Sequence, residues 1–385
     1  MMDERQARET IIRAGIELLK SGLIVRTWGN ISFRVDDVRF AITPSGRAYE
    51  TLKPEDIVIC NIADGIHADG NTVDVSVAGN LKPSSEKGVH ALIYRMKGDA
   101  CFVIHTHQRF ASAVASSGVT EIQDDKMGKI PVAAYSLPGT KKLVSSIGAV
   151  MAQANGAILM PHHGALCYGI DYDETFSTVL ALENACERFM CNSYMKASGA
   201  KEFIKRQILD YYVKKVTGYD PSAQNVATLN IRGSRRDDTE IITSATDEAR
   251  LHLAIYTARP EINYIKLADG ENVVAVSLVK KPLQRLLDDF AQMMGKPMRI
   301  ARDCSPAAIV RALGKTGGVL VPGAGALCCA ATETDAHALC LVTEKNALAE
   351  ICATIMGKPK PLSHLDCFLM HLMYTKKYSK QISGG

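Results

Sequence analysis

The 385 residues are 47% apolar and 22% charged, with a formal net charge of +4. That profile excludes a disordered or fibrous chain and gives length enough for two cores. Lys and Arg are interleaved with Asp and Glu, as in RGSRRDDTE (232–240), so no basic stripe points to nucleic acid. No apolar run reaches the roughly 18 to 20 residues of a membrane span, and the opening MMDERQARETIIRAG is charged where a signal peptide is apolar. A cytoplasmic protein without nucleic-acid or membrane partners is expected.

Residues 4 to 20 carry apolar positions at helical spacing and end before Gly22, which predicts an amphipathic first helix. The runs ISFRV, RFAITP and DIVICNI follow between Asp, Gly and Pro and read as strands. Residues 63 to 83 read as a loop. Helical periodicity returns over 85–97, then come a strand CFVIHTH, helices over 108–116 and 140–153, strands GAILMPHHG and ALCYG, and a long helix over about 173–197. This order predicts mixed α/β layers around one sheet. The eleven cysteines sit in apolar contexts such as ICN and LCCAA, without CxxC spacing, and read as reduced core residues.

The second half repeats the first. ILMPHHGALCYG (158–169) and VLVPGAGALCCA (319–330) agree at six of twelve positions, and Glu183 downstream corresponds to Glu344. SEKGVHALIYRMKGD (85–99) pairs with DEARLHLAIYTARPE (247–261), which places Glu86 on Glu248, His90 on His252 and Tyr94 on Tyr256. Two blocks in the same order at nearly the same spacing identify duplicated domains. The boundary is expected near TGYDPSAQN (217–225), giving domains over 1–215 and 216–385, the second lacking a clear counterpart of residues 1 to 50.

His105 and His107, two apart in a strand, leave the same face and can converge on one ion. His162 and His163 stand before Gly164, and either is a candidate third imidazole, which would leave the open coordination position of a catalytic site. Glu86 follows PSS at a predicted helix N-terminus, where a carboxylate or a phosphate is favoured. Taken alone, the HxH reads as two ordinary strand histidines, and Ser85 and Glu86 as an ordinary helix start. The repeat supplies a comparison: Leu267, Asp269 and Ala324 replace His105, His107 and His163, while Pro322, Gly325, Ala326 and Leu327 persist. The histidines therefore read as a functional set. TWGNIS (27–32) and TPSG (43–46) offer hydroxyls, an amide and glycine-exposed N–H groups for a phosphate cradle.

TWGNIS, ITPSG, KPSSE, HTH and HHG, in that order, with IPVAAYSLPGT (130–140) between the last two, resemble the class II aldolase/adducin superfamily over about residues 5 to 200. The resemblance implies a three-layer α/β/α domain with a central mixed, mainly antiparallel sheet, followed here by a truncated, degenerate repeat. It implies metal ligation by Glu86, His105, His107 and His163, usually of zinc and otherwise of a divalent ion such as Mn2+, with His162 in a supporting role. It also implies that Glu86 serves as acid/base, that Asn30, Ser45, Gly46, Ser84 and Ser85 hold a sugar phosphate, and that the chain is a homo-oligomer. A glutamate after PSS resembles the aldolase branch; the alternatives are a sugar-phosphate 4-epimerase on the same site and a non-catalytic, adducin-like protein. The family's proton-donating tyrosine has no counterpart in SSGVTEIQDDKMGKIP, which leaves Asp124, Asp125 and Tyr219 as candidates.

Overall fold

The computed structural model of the protein describes residues 3–63, 77–78, 81–202, 205–219, 233–238, 246–357 and 359–382. The chain forms two compact units, Met1–Met190 and Cys191–Gly385. Most of the expected linker, residues 220–225, and most of the expected 63–83 loop lie outside the described residues.

In the first unit, helix α1 (Glu4–Lys20) buries Ala7, Ile11, Ala14 and Leu18, an i, i+4, i+7, i+11 stripe, and stops before Gly22 at φ +70°. Strands β1 (Asn30–Arg34), β2 (Arg39–Ile42), β3 (Val58–Asn61) and β4 (Val77–Ala78) form an antiparallel meander. Helix α2 (Lys87–Met96) leads to β5 (Phe102–Thr106) and α3 (Arg109–Ala115), then to a separate hairpin, β6 (Glu121–Asp124) and β7 (Gly128–Pro131). Helix α4 (Lys141–Val150), β8 (Ala157–Met160), β9 (Gly164–Gly169) and the long α5 (Tyr172–Ser198) complete the set. The sheet order is β4-β3-β2-β1-β5-β9-β8, every ladder antiparallel.

Strand parity sorts the two faces. Phe102 points to one, where its ring meets Phe33 and Tyr172 at 5.5 and 5.6 Å between centroids. Val103 points to the other, into a core of Val89, Ile93, Leu143, Ile147, Ile158 and Leu166 contributed by α2, α4 and the sheet. Each such fully buried aliphatic side chain contributes about 1.5–3 kcal/mol. The expected three layers are therefore present. His105 and His107 share the parity of Val103 and emerge on the α2/α4 side.

The second unit has the strand order β10-β11-β13-β12, formed by β10 (Ser234–Arg235), β11 (Tyr264–Ala268), β12 (Gly318–Val321) and β13 (Gly325–Ala330). This is the order β1-β5-β9-β8, and the register repeats: Phe102 pairs with Gly169 as Tyr264 pairs with Ala330, and Ala157 with Cys167 as Gly318 with Cys328. One expectation needs correction, because β10 is a counterpart of β1. Ser32 Oγ lies 2.7 Å from Tyr94 Oη and Ser234 Oγ 2.9 Å from Tyr256 Oη; the guanidinium groups of Arg34 and Arg236 donate to the carbonyls of Tyr94 and Tyr256. Truncation removes what lies between: 51 residues separate Arg34 from Glu86, but only 11 separate Arg236 from Glu248, too few for three strands.

Candidate metal centre

The β1–β5 register sets Asn30 directly opposite His105. Close approach there needs Gly29, at φ +120°, since a β-carbon would stand 2.8 Å from the His105 carbonyl oxygen. Gly164 does the same between β9 and the end of β5, where a β-carbon would sit 2.0 Å from the Thr106 oxygen. His162, just before it, takes φ +63°, donates its N–H to Ser116 Oγ at 3.0 Å and packs its ring edge-on to Tyr135, 5.1 Å away. That left-handed turn aims His163 at the end of β5.

The rings of His105, His107 and His163 stand 4.6 to 4.9 Å apart between centroids, and their ligand atoms all lie within 4.8 Å of one another. His105 Nδ1 is 2.9 Å from the Ala165 carbonyl oxygen, which only accepts; the proton is therefore on Nδ1, and the Nε2 lone pair of the neutral ring faces the cluster. His105 Nε2 and His163 Nε2 are 3.1 Å apart. Glu86 closes the group, its two carboxylate oxygens 3.2 Å from His105 Nε2 and 3.2 Å from His163 Nε2. All four side chains are at least nine-tenths buried.

Glu86 begins α2, yet its carboxylate caps no helix N–H; Ser84 Oγ accepts the Glu86 N–H instead, at 3.2 Å. The reading of Glu86 as a plain helix start is thereby set aside. Burial acts to raise its pKa, but His105 and His163 when they carry a second proton, the Asn30 amide and a protonated His107 outweigh burial and hold it down to about 2. The carboxylate is ionised at neutral pH.

Three buried imidazoles and one carboxylate make a donor set that could hold a divalent ion. The 3.1 and 3.2 Å separations among His105, His163 and Glu86 are short enough for those groups to share one ion.

The loops expected to hold phosphate run side by side: Pro44 bridges Pro83, Ser45 N–H donates to Lys82 O at 2.9 Å, and Ser84 N–H to Thr43 O at 3.0 Å. Ser45 and Ser85 are exposed, Gly46 takes φ +73°, and Ser84 is buried beneath Glu86. Asn30 is more deeply engaged, donating through Nδ2 to Glu86 at 3.1 Å and facing His90 through Oδ1 at 2.5 Å. Burial, and then His105, push the His90 pKa down to about 3, so its ring is neutral.

Asp124 is not available as a proton donor. It is clamped by Arg188 at 2.6 and 3.1 Å and by the N–H groups of Lys126 and Met127 in the β6–β7 turn. Burial opposes ionisation, but the guanidinium and those amides prevail and lower its pKa. Asp125 is exposed on the same turn, and Tyr219 lies in the second unit. Sequence reasoning passed over His90, although Glu86, His90 and Tyr94 at i, i+4 and i+8 share one face of α2. It used Glu183 only to align the repeat; its carboxylate accepts the Phe110 and Ala111 N–H groups at 2.7 and 3.0 Å, as Glu344 accepts that of Val273 at 3.1 Å.

The model of the Class II Aldolase and Adducin N-terminal domain matches residues 9–190 and again 214–351. The chain belongs to this family. The second match agrees with the repeated strand order. Among curated relatives of this aldolase-family chain, a 5-deoxy-D-ribulose 1-phosphate aldolase of Bacillus thuringiensis serovar kurstaki is 29% identical over 221 residues, covering 56% of this chain and 97% of the relative. An L-ribulose-5-phosphate 4-epimerase of Salmonella paratyphi C is 27% identical over 201 residues, covering 48% and 83%. Among solved structures, an L-fuculose 1-phosphate aldolase is 26% identical, with a TM-score of 0.43, covering 52% of this chain and 92% of that one. Among the described residues no helix is long and apolar enough to cross a membrane.

Proposed function

We propose that residues 1–215 form a metal-dependent aldolase that cleaves a ketose phosphate, such as a 1-phosphate, to dihydroxyacetone phosphate and an aldehyde. The observation that carries this reading is the buried cluster of His105, His107 and His163, with the Glu86 carboxylate set against His105 and His163. Those four residues would hold the ion. What a divalent ion, zinc or manganese, supplies in such a site is Lewis-acid polarisation of the substrate carbonyl and an offset for the charge released as the carbon–carbon bond breaks. Glu86 moves the proton on and off the carbon at which the bond cleaves. Ser45, Ser84 and Ser85 would bind the phosphate through their hydroxyl groups and Gly46 through its backbone N–H, and the second Asn30 amide hydrogen would donate from the sheet side.

The second unit, residues 216–385 in this division, is a pseudo-domain: Leu267, Asp269 and Ala324 provide no imidazole. The expected partner is a small sugar phosphate, in the cytoplasm, and the expected assembly is a homo-oligomer, a dimer of tandem chains imitating four-fold symmetry. A monomer by light scattering at working concentration refutes that assembly.

Metal analysis of the purified protein, beside a coupled triose-phosphate assay on a panel of ketose 1-phosphates with wild type and His107→Ala, tests the function. One bound ion per chain and loss of activity in the variant are expected. Absence of metal, or equal activity in the variant, overturns the proposal. The likeness to an epimerase gives the assay its second arm: epimeric products without free triose phosphate assign the site to that reaction.

A further inference from the structure

Behind Glu86 lies a buried polar chain of Asn30, His90, Ser32 and Tyr94, of which only Asn30 has been given a part in substrate binding. Tyr94 Oη is 2.7 Å from Ser32 Oγ, Ser32 Oγ is 2.6 Å from His90 Nδ1, His90 Nε2 is 2.5 Å from Asn30 Oδ1, and Asn30 Nδ2 is 3.1 Å from Glu86 Oε2. Ser32 and His90 are fully buried.

The chemistry of the ends fixes the direction of every proton. An ionised carboxylate only accepts, so Asn30 turns its NH2 group to Glu86 and its oxygen to His90. That oxygen only accepts, so His90 carries its proton on Nε2. The neutral ring then accepts at Nδ1, the Ser32 hydroxyl donates to it, and the Tyr94 hydroxyl donates to Ser32. Reversing one link would set two acceptors or two donors against each other among buried groups, at a cost of about 1–3 kcal/mol.

We propose that His90 is a positioning residue for Glu86: as the Nε2–H tautomer it pins the Asn30 carboxamide with its hydrogens toward the carboxylate, and so keeps Glu86 turned to His105 and His163. This rests on the metal-site reading given above. The duplicated unit separates this link from mere framework. It keeps the Ser234–Tyr256 hydroxyl pair and a fully buried His252 at the matching helical position, but Ser234 does not bond that ring, and neither ring nitrogen has a hydrogen-bond partner among the described residues. The imidazole link is missing in the unit that lacks the metal ligands.

Substitution at His90 distinguishes positioning from packing. His90→Gln places an amide N–H near the position of Nε2–H and keeps donation to Asn30; His90→Asn keeps an acceptor for Ser32 but does not reach Asn30; His90→Leu keeps neither. Zinc affinity, read by competition with a chromogenic chelator, is expected to stay within about 3-fold of wild type for Gln and to weaken about 10- to 100-fold for Asn and Leu, the range for a lost partner of a ligand. In the coupled assay kcat should follow the same order, with KM little changed. Equal zinc affinity for Gln and Asn overturns the proposal. Nitrogen-15 NMR of His90 in the wild-type protein needs no variant to fold: a proton on Nε2 supports the proposal, and one on Nδ1 overturns it. Failure of wild type to bind zinc would refute the metal site, while the tautomer measurement would still decide the relay.

Discussion

Gly164→Ala tests how tightly the fold constrains the site. The new β-carbon would stand 2.0 Å from the Thr106 carbonyl oxygen, 3.0 Å from its carbon and 3.2 Å from His107 Cα. All three are backbone atoms, so no side-chain rotation relieves the contact, and the ends of β5 and β9 must part by about 1 Å to restore van der Waals distance. Overpacking of this kind costs about 1–3 kcal/mol, and the rigidity of paired backbone puts the expected value near 3 kcal/mol. For a unit of this size that lowers Tm by about 6–12 °C. His107 follows the displaced carbonyl and His163 precedes the substituted residue, while ligand distances tolerate only about 0.2 Å. Zinc affinity should therefore fall at least 10-fold. Scanning fluorimetry and chelator competition measure the two effects. Gly325→Ala is the control: its β-carbon would meet the Ala268 oxygen at 2.2 Å at φ +109°, in the unit where Leu267, Asp269 and Ala324 replace the three histidines, so it should cost comparable stability and leave zinc binding unchanged. The reasoning fails if Gly164→Ala loses less than about 1 kcal/mol and binds zinc normally, or if both variants weaken zinc equally.

Glu86→Gln should lower kcat by about 10²-fold or more, because the amide cannot take up the proton; near-wild-type turnover would assign proton transfer elsewhere. Asp124→Asn should leave kcat within about 3-fold and cost at most about 1 kcal/mol, because its guanidinium partner is half-exposed. The Asp124 pKa is lowered on folding, so its contribution is present above the ordinary carboxylate value of 3.8 and disappears as pH falls through the lower folded value; urea titrations at pH 3 and 6 would detect the difference. Glu350 runs the other way: burial, only partly opposed by Lys281, raises it to about 7, so stability is full below pH 4.5 and declines by about 3 kcal/mol as pH rises through 7. Glu350→Gln should flatten that slope, and an unchanged slope would assign it to another group. Metal binding needs neutral imidazoles, so zinc affinity should weaken as pH falls below about 6.5, and chelation should lower Tm at pH 7.5 more than at pH 5.5.

Much of this was legible in the residues. The first helix and α5 announce themselves by periodicity, the HxH by strand parity, and the duplication by two blocks at fixed spacing. His90 was not recognised, because a histidine on the inner face of an amphipathic helix looks like core until the strand beneath it supplies Asn30 and Ser32. The β10 strand is two residues long inside RGSRRDDTE and carries no hydrophobic alternation; its register on β11 comes from tertiary pairing. Asp124 was one of three candidate acids that no spacing singled out, and only the fold brings Arg188, 64 residues away, onto it.

The truncation also bears on what could be rebuilt. Because β10 follows β1 and β11 follows β5, positions 267, 269 and 324 occupy the places of the three histidines, and the three substitutions could be made on the existing scaffold. The strands lost between Arg236 and Glu248 are those that carry the 43–46 turn in the first unit. A restored triad would therefore be an ion site without an anchor for a phosphorylated substrate. In this architecture the capacity to hold a metal and the capacity to choose what is brought to it reside in separable pieces of chain, and shortening one connection removes the second without disturbing the strand order that supports the first.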